Sequence, residues 1–172
     1  MMSMKLGGRA RILPDAVNTD YIISSRRKRE IADLERLAEY VFEDLPRPLN
    51  GPLIRGDVVV AGEDFGCGSA MEVAVDVLKA VGVPCIVARS VARNFYRNAI
   101  NAGLPVILYS GGEVAEGDFL SIVFDRRPAV ANRTSGSDLS CRSVPDFAVQ
   151  VVAEGGLLPY YSRYGMPRGR IG

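Results

Sequence analysis

The sequence contains no histidine. That absence removes Ser-His-Asp and Cys-His catalysis from this chain, together with the commonest metal ligand. Cysteine is scarce: Cys67, Cys85 and Cys141 are odd in number and widely spaced. No pair has metal-site spacing, so a zinc or iron–sulfur site built from this chain alone is not expected. The three thiols suit a reducing cytoplasm better than a disulfide scaffold. Net charge is only +1, which gives no general argument for binding nucleic acid or a membrane. No apolar run is long enough to cross a bilayer. The opening Met1-Met2-Ser3-Met4-Lys5 lacks the apolar core of a signal peptide. What is present is an ordinary globular composition, 48% hydrophobic and 24% charged, over 172 residues. That length fits a single domain, 1–172, with a real core.

The apolar pattern predicts an α/β chain. Residues 4–13 form an opening strand, broken by Pro14-Asp15, and Asn18-Thr19-Asp20 is turn-like. A basic run, Arg26-Arg27-Lys28-Arg29, precedes a helix from about Asp33, with Leu34, Leu37, Ala38, Val41 and Phe42 on one face. A connector rich in proline and glycine then leads to a buried strand at 58–61. A helix over 69–81 ends at Gly82 and Pro84, and a second strand lies at 85–88. Ser90 can cap a helix running to about Ala102, and a third strand lies at 106–109. Strand, helix, strand, helix, strand is the signature of parallel βαβ units. A further strand spans 119–124, and 125–140 is polar and turn-rich. A helix follows from about Pro145 to Ala153, and Tyr, Arg and Gly dominate a tail over about 160–172 whose composition permits mobility.

The chemistry concentrates in Gly62-Glu63-Asp64-Phe65-Gly66-Cys67-Gly68-Ser69. A strand feeding a glycine loop that opens on a helix makes an anion site, because backbone N–H groups and the helix dipole favour negative charge. The loop lacks the lysine of a nucleotide P-loop, and Met71 occupies the place of the third glycine of a dinucleotide fingerprint. Ser69 and Glu72 have capping-box spacing, so Ser69 reads equally well as a helix cap and as a site residue. A helix N-terminus beside Cys67 is expected to lower its thiol pKa, although packing explains a small residue there equally well. The basic run reads either as a solvated surface or as one or two of its four cations aimed at an anion, a task that an arginine fork suits. Arg93 and Arg97 share a helix face suited to surface ion pairs.

Several segments together resemble one family. They are Val17-Asn18-Thr19-Asp20-Tyr21-Ile22-Ile23, Gly56-Asp57-Val58-Val59-Val60-Ala61-Gly62, Asp64-Phe65-Gly66-Cys67-Gly68-Ser69, the run from Ala92 through Asn94-Phe95-Tyr96-Arg97-Asn98-Ala99-Ile100-Asn101 to Pro105, and Glu154-Gly155-Gly156-Leu157-Leu158-Pro159-Tyr160. In this order they resemble the small subunit of 3-isopropylmalate dehydratase and homoaconitase, which is similar to the swivelling C-terminal domain of aconitase. The resemblance implies a swivelling β/β/α fold and a hydro-lyase of amino-acid biosynthesis. It also implies a separate large subunit carrying a [4Fe-4S] cluster, with no metal ligand in this chain. It implies reversible dehydration of a hydroxy di- or tricarboxylic acid, with Ser69 as the catalytic base. Arg26, with Arg27 beside it, falls on the family's substrate-binding arginine. Gly66, Cys67, Gly68 and Met71 fall on the substrate side of the loop, and Asp20 and Glu72 are supporting positions.

The chain departs from that pattern in one turn. The family usually reads Gly-Ser-Ser-Arg-Glu-His-Ala where this chain has Gly68-Ser69-Ala70-Met71-Glu72-Val73-Ala74. Loss of the arginine clamp, and a strongly cationic 26–29 loop, imply a substrate altered from isopropylmalate. The competing readings are a non-catalytic regulatory subunit and an anion-binding domain derived from the same family.

Overall fold

The computed structural model describes residues 2–166. Its strands are β1 (Met4–Leu13), β2 (Val58–Ala61), β3 (Ile86–Ala88), β4 (Val106–Gly111), β5 (Phe119–Phe124), β6 (Ala129–Asn132) and β7 (Ser137–Cys141). They close into a barrel in the order β1-β2-β3-β4-β7-β6-β5. Seven helices accompany them among the described residues: α1 (Thr19–Ile22), α2 (Ser25–Glu30), α3 (Leu34–Ala38), α4 (Glu72–Val81), α5 (Arg93–Asn101), α6 (Asp146–Ala153) and α7 (Leu157–Tyr164).

One half of the barrel is parallel, as the βαβ pattern requires. Neighbours pair as Ala10 with Val58, Val59 with Ile86, and Ile86 with Val106. The other half is antiparallel, with β5 pairing both β1 and β6. Every residue of β2 and β3 is buried, which explains their unbroken apolar runs. Side chains alternate across a strand, so these short strands feed two cores. Val59, Ala61, Ile86 and Ala88 pack with Ala74, Val77 and Leu78 of α4. Val58, Val60 and Val87 instead join Leu120, Ile122 and Phe124 from the antiparallel half, together with Val149 and Val152 of α6. α4 stops where expected: Gly82 takes φ 95° and its N–H reaches the carbonyls of Leu78 and Lys79.

Several expectations need correction. Asn18-Thr19-Asp20 is not a plain turn. Asn18 caps α1, accepting the Asp20 N–H. The basic run lies in α2, capped by Ser24. α3 ends at Ala38, not near Phe42, because the Phe42 N–H bonds to the Ile22 carbonyl and draws the chain inward. The polar stretch 125–140 contains β6 and β7, whose buried residues are only Val130, Asn132 and Leu139. Ser90 does not cap α5, because its hydroxyl accepts the Asp64 N–H and donates to Glu63. Arg93 and Arg97 are exposed and form no ion pair among the described residues. The proposed tail begins as helix α7, where Tyr160 packs edge-on against Phe147 at 5.4 Å. Residues 167–172 of that tail lie outside the described residues.

Candidate functional site

β2 delivers the chain at Ala61 into the glycine loop, and the loop is clamped from two sides. On one side the Gly66 N–H donates to the Val17 carbonyl at 2.8 Å, and the Thr19 N–H donates to the Cys67 carbonyl at 2.9 Å. On the other, the Phe65 N–H reaches the Ser90 carbonyl and the Ala92 N–H reaches the Phe65 carbonyl. Phe65 is fully buried and meets Phe95 edge-on, with ring centroids 5.2 Å apart. The loop glycines are dictated by this sandwich. Gly66 and Gly68 hold φ 78° and 89°, where side chains are strained. A β-carbon on Gly66 would lie 2.3 Å from the Phe95 ring, and one on Gly68 would lie 2.6 Å from the Asn18 amide.

Ser69 emerges at the exposed end of this clamp. Its carbonyl accepts the hydroxyl of Thr19 at 2.9 Å, and Thr19 is itself buried. Its own hydroxyl has no hydrogen-bond partner among the described residues. The capping-box reading of Ser69 and Glu72 is therefore corrected. Met71 occupies the cap position in extended backbone, without a side-chain cap bond, and α4 begins at Glu72. Thr19 holds the Ser69 carbonyl upstream of the helix. The uncapped start of α4 leaves first-turn N–H groups without a side-chain acceptor.

α1 and α2 form the facing wall. Asp20 accepts the Ser25 hydroxyl at 2.8 Å, tying the two helices together. Arg27 forks onto Glu43, with Nε to Oε1 at 2.7 Å and Nη2 to Oε2 at 3.0 Å. It also lies over the Tyr40 ring at 3.9 Å. The hydrogen bonds from Arg27 hold the Glu43 carboxyl below its ordinary range. This arginine is engaged within the chain. Arg26 is more available: it is 59% exposed and only 3.7 Å from Glu43 at its closest. Lys28 turns the other way, and its ammonium contacts the Met71 thioether. Glu72 lines a separate cleft of about 240 Å³ with Asp76, Asn98, Asn101 and Leu158, and makes no hydrogen bond to Ser69 among the described residues.

Cys67 corrects a further expectation. Burial, reinforced by the nearby Asp64 carboxylate, pushes its thiol above the ordinary value instead of lowering it. With α4 starting only at Glu72, the helix dipole does not reach the sulfur effectively. The site is an open surface: Gly68, Ser69 and Ala70 are exposed. Larger hollows, about 520 Å³ beside Arg127 and Ser143 and about 360 Å³ beside Met2 and Gln150, include none of the loop residues. The arrangement therefore brings together Ser69, the loop glycines, Cys67, Met71, Asp20 and α2, while Arg27 is engaged by Glu43 and Glu72 lines a separate cleft. Thr19 and Lys28 are the residues that sequence reasoning did not single out. Thr19 stood in a recognised Asn-Thr-Asp motif, but its bond to Ser69 spans fifty positions and has no local signature.

Comparison with known proteins gives this geometry a lineage. Residues 55–110, running from the approach to β2 through β4, match the family model of the aconitase C-terminal domain. The 3-isopropylmalate dehydratase small subunit 2 of Archaeoglobus fulgidus is 37% identical over 94% of this chain and 98% of its own length. This chain belongs to the 3-isopropylmalate dehydratase small-subunit family. Its other family relatives include small subunit 1 of Methanopyrus kandleri, 41% identical over 92% of this chain and 93% of that protein. The methanogen homoaconitase small subunit of Methanothermobacter thermautotrophicus is 40% identical over 90% and 89%. The crystal structure of 3-isopropylmalate dehydratase from Methanocaldococcus jannaschii superposes with a TM-score of 0.82 at 35% identity, covering 94% of this chain and 95% of that one. Aconitase X of Thermococcus kodakaraensis shares the fold alone, with a TM-score of 0.51 at 13% identity over 81% of this chain and 92% of that one. The expected swivelling β/β/α fold is thus the observed one.

Proposed function

We propose that this chain is the small subunit of an aconitase-family hydro-lyase that interconverts a hydroxy di- or tricarboxylic acid and its dehydrated form. The observation that carries this reading is Ser69: an exposed serine whose hydroxyl is free, at the end of a loop whose backbone is clamped on both sides. In the dehydration direction the Ser69 oxygen takes the proton from the carbon beside a carboxylate. The electron pair of that C–H bond forms the double bond as the C–O bond breaks with its pair on oxygen, and the departing hydroxide takes a proton from solvent to become water. Hydration returns the same proton from Ser69. The uncapped start of α4, close along the chain, favours negative charge on the serine side. Thr19 fixes the serine backbone, and the left-handed glycines let the loop seat against Phe95 and Asn18.

The reading assigns a [4Fe-4S] cluster to a separate large subunit, where it would supply a Lewis acid for the departing hydroxyl. This chain does not fit as its holder. Among the described residues no group of three His, Cys, Asp or Glu could hold a metal ion, and Cys85 is fully buried in the barrel core. The three free thiols suit a reducing cytoplasm as the place of action, and no described helix is long and apolar enough to cross a membrane. Arg26 and the loop residues Gly66, Cys67, Gly68 and Met71 form the substrate side, with Asp20 in support. The cationic α2 and the neutral Met71 favour a substrate other than isopropylmalate. The same Met71 is what favours the second reading, a regulatory or anion-binding subunit.

Co-expression with the large subunit and a screen of hydroxy acids tests the two against each other. Ser69→Ala should lower kcat by roughly 10²–10⁴-fold. Its stability should stay within about 0.5 kcal/mol, because the lost hydroxyl is exposed and unbonded. Turnover that survives the substitution removes Ser69 from the chemistry.

A further inference from the structure

We infer that Arg89 binds the carboxylate of a small, partly apolar monocarboxylate in a hollow whose lining includes no residue of the glycine loop. The site does not depend on the chemistry proposed for Ser69. Arg89 directly follows β3. Its N–H lies 3.3 Å from the Ala61 carbonyl and 3.1 Å from that of Gly62, so the end of β2 fixes its backbone. Its guanidinium lies over the ring of Tyr109, 4.9 Å from the centroid. Tyr109 is a buried residue of β4. Both side chains line a hollow of about 290 Å³ with Gly112, Glu113, Val114 and Ala115. This is the carboxyl end of the parallel pair β3 and β4, the end at which α/β folds collect ligands.

A comparison of the arginines singles this one out. Among the described residues only Arg11, Arg27 and Arg89 are arginines that folding withdraws from full exposure. Arg11 pairs with Asp57 and Glu116, and Arg27 pairs with Glu43. Arg89 alone has no carboxylate within ion-pair distance among the described residues. Arg27 shows what such a fork takes: it stacks on Tyr40 and holds Glu43 through two nitrogens. Arg89 has the same kind of ring beneath it, and its other side faces the hollow. A guanidinium stays charged in a protein, and withdrawing it from water is unfavourable unless an anion meets it. Stacking also holds the planar fork in place, so two parallel N–H donors are offered to a carboxylate at little entropic cost. The other walls narrow the ligand further. The Glu113 carboxylate disfavours a second anion, and Val114, Ala115 and the Tyr109 ring accept an apolar part. A plain monocarboxylate and a zwitterionic α-amino acid share this chemistry, the latter with its ammonium toward Glu113.

The test is a heteronuclear NMR titration of the full chain with isovalerate, L-valine and L-valinamide, the last of which has no carboxylate. Isovalerate, L-valine or both should shift the amide signals of Tyr109 and of 112–115, and L-valinamide should not. Arg89→Met keeps the stem over the ring and should weaken binding by about 10- to 100-fold. Arg89→Lys keeps the charge without the fork and should still bind several-fold more weakly than wild type; it carries the test if Arg89→Met does not fold. Glu113→Gln should leave isovalerate binding at least as tight. A preference for L-valine over isovalerate that Glu113→Gln removes identifies the amino acid as the ligand class, and the opposite preference identifies the plain carboxylate. Affinity unchanged in the Arg89 variants, or L-valinamide binding as well as L-valine, overturns the inference. So do shifts centred on 66–70 with none at 109–115, because the ligand would then sit at the glycine loop. Failure of both carboxylates to shift any signal at up to about 20 mM overturns it as well.

Discussion

Replacing Arg11 by methionine should destabilise the chain by roughly 3–5 kcal/mol, the range for removing one partner from a buried ion pair. Arg11 lies in β1 and is 2% exposed. Nε donates to Glu116 at 2.6 Å, Nη1 to Asp57 at 2.9 Å and the Pro52 carbonyl at 2.7 Å, and Nη2 to the Gly51 and Asn50 carbonyls at 2.9 and 3.2 Å. All the guanidinium N–H donors are thus engaged. Methionine fills a similar volume but returns none of these bonds. The carbonyls of the 50–52 connector lose a donor, and Asp57, with a side chain 3% exposed, keeps, among the described residues, only Arg9 at 3.4 Å and the Ile54 N–H as polar partners. Arg9 is half exposed and cannot replace the lost charge in full.

For a chain of this size each kcal/mol shifts Tm by about 2–4 °C, so the drop should be roughly 6–20 °C. Thermal and urea unfolding of the isolated chain, followed by circular dichroism, would measure it. Adding Asp57→Leu to Arg11→Met should cost less than the sum of the two single changes, since no orphaned carboxylate then remains. A loss below about 1 kcal/mol for Arg11→Met, or strict additivity in the double variant, would refute the reasoning.

Two more outcomes follow from the loop and from α2. Gly66→Ala should lower the urea midpoint by more than about 2 kcal/mol of stability, from left-handed strain plus the Phe95 clash; a wild-type midpoint would show that the loop can yield. The Arg27 hydrogen bonds depress the Glu43 pKa, so the pair's contribution is complete above the ordinary carboxylate pKa and disappears as pH falls through the lowered one. Stability of Glu43→Gln should therefore fall less steeply than that of the wild type as pH drops from about 5 to about 2, and parallel curves would remove this pair from acid unfolding.

The parallel half of the barrel was legible because its signals are local. β2 and β3 are short buried apolar runs, and the α4 helix ends on a left-handed glycine. β6 and β7 were illegible for the opposite reason. Ala129–Asn132 and Ser137–Cys141 are short, each shows solvent an outer face, and one of their buried positions is the polar Asn132, held by Asp118 at 2.7 Å. Neither serine caps its helix, and only Ser90 loses its hydroxyl to a tertiary partner. Capping spacing was present at Ser69, yet α4 begins at Glu72 with Met71 in the cap position, and the Ser90 hydroxyl was taken by the 63–64 turn. The loop glycines were readable as glycines by need because positive φ and close packing on Phe95 and Asn18 both demand glycine. What could not be read was that Arg27 is committed to Glu43, sixteen residues away.

The same structure separates where chemistry and selectivity can change. Ser69 cannot move independently: shifting it breaks the Thr19 bond, and shifting the loop behind it drives Gly66 into Phe95 or Gly68 into Asn18. Loop substitutions are therefore paid for in stability. α2 is different, because none of its residues is buried and its tie to the fold runs through the Ser24 cap, the Asp20–Ser25 bond and the Arg27–Glu43 fork. Surface positions of this kind tolerate substitution within about 0.5 kcal/mol. On the proposed function, a new substrate is reached most cheaply by exchanging Arg26, Lys28 or Arg29 while Ser69 and its clamp stay fixed. The cationic α2 of this chain, facing a neutral Met71, is the pattern that such a route produces.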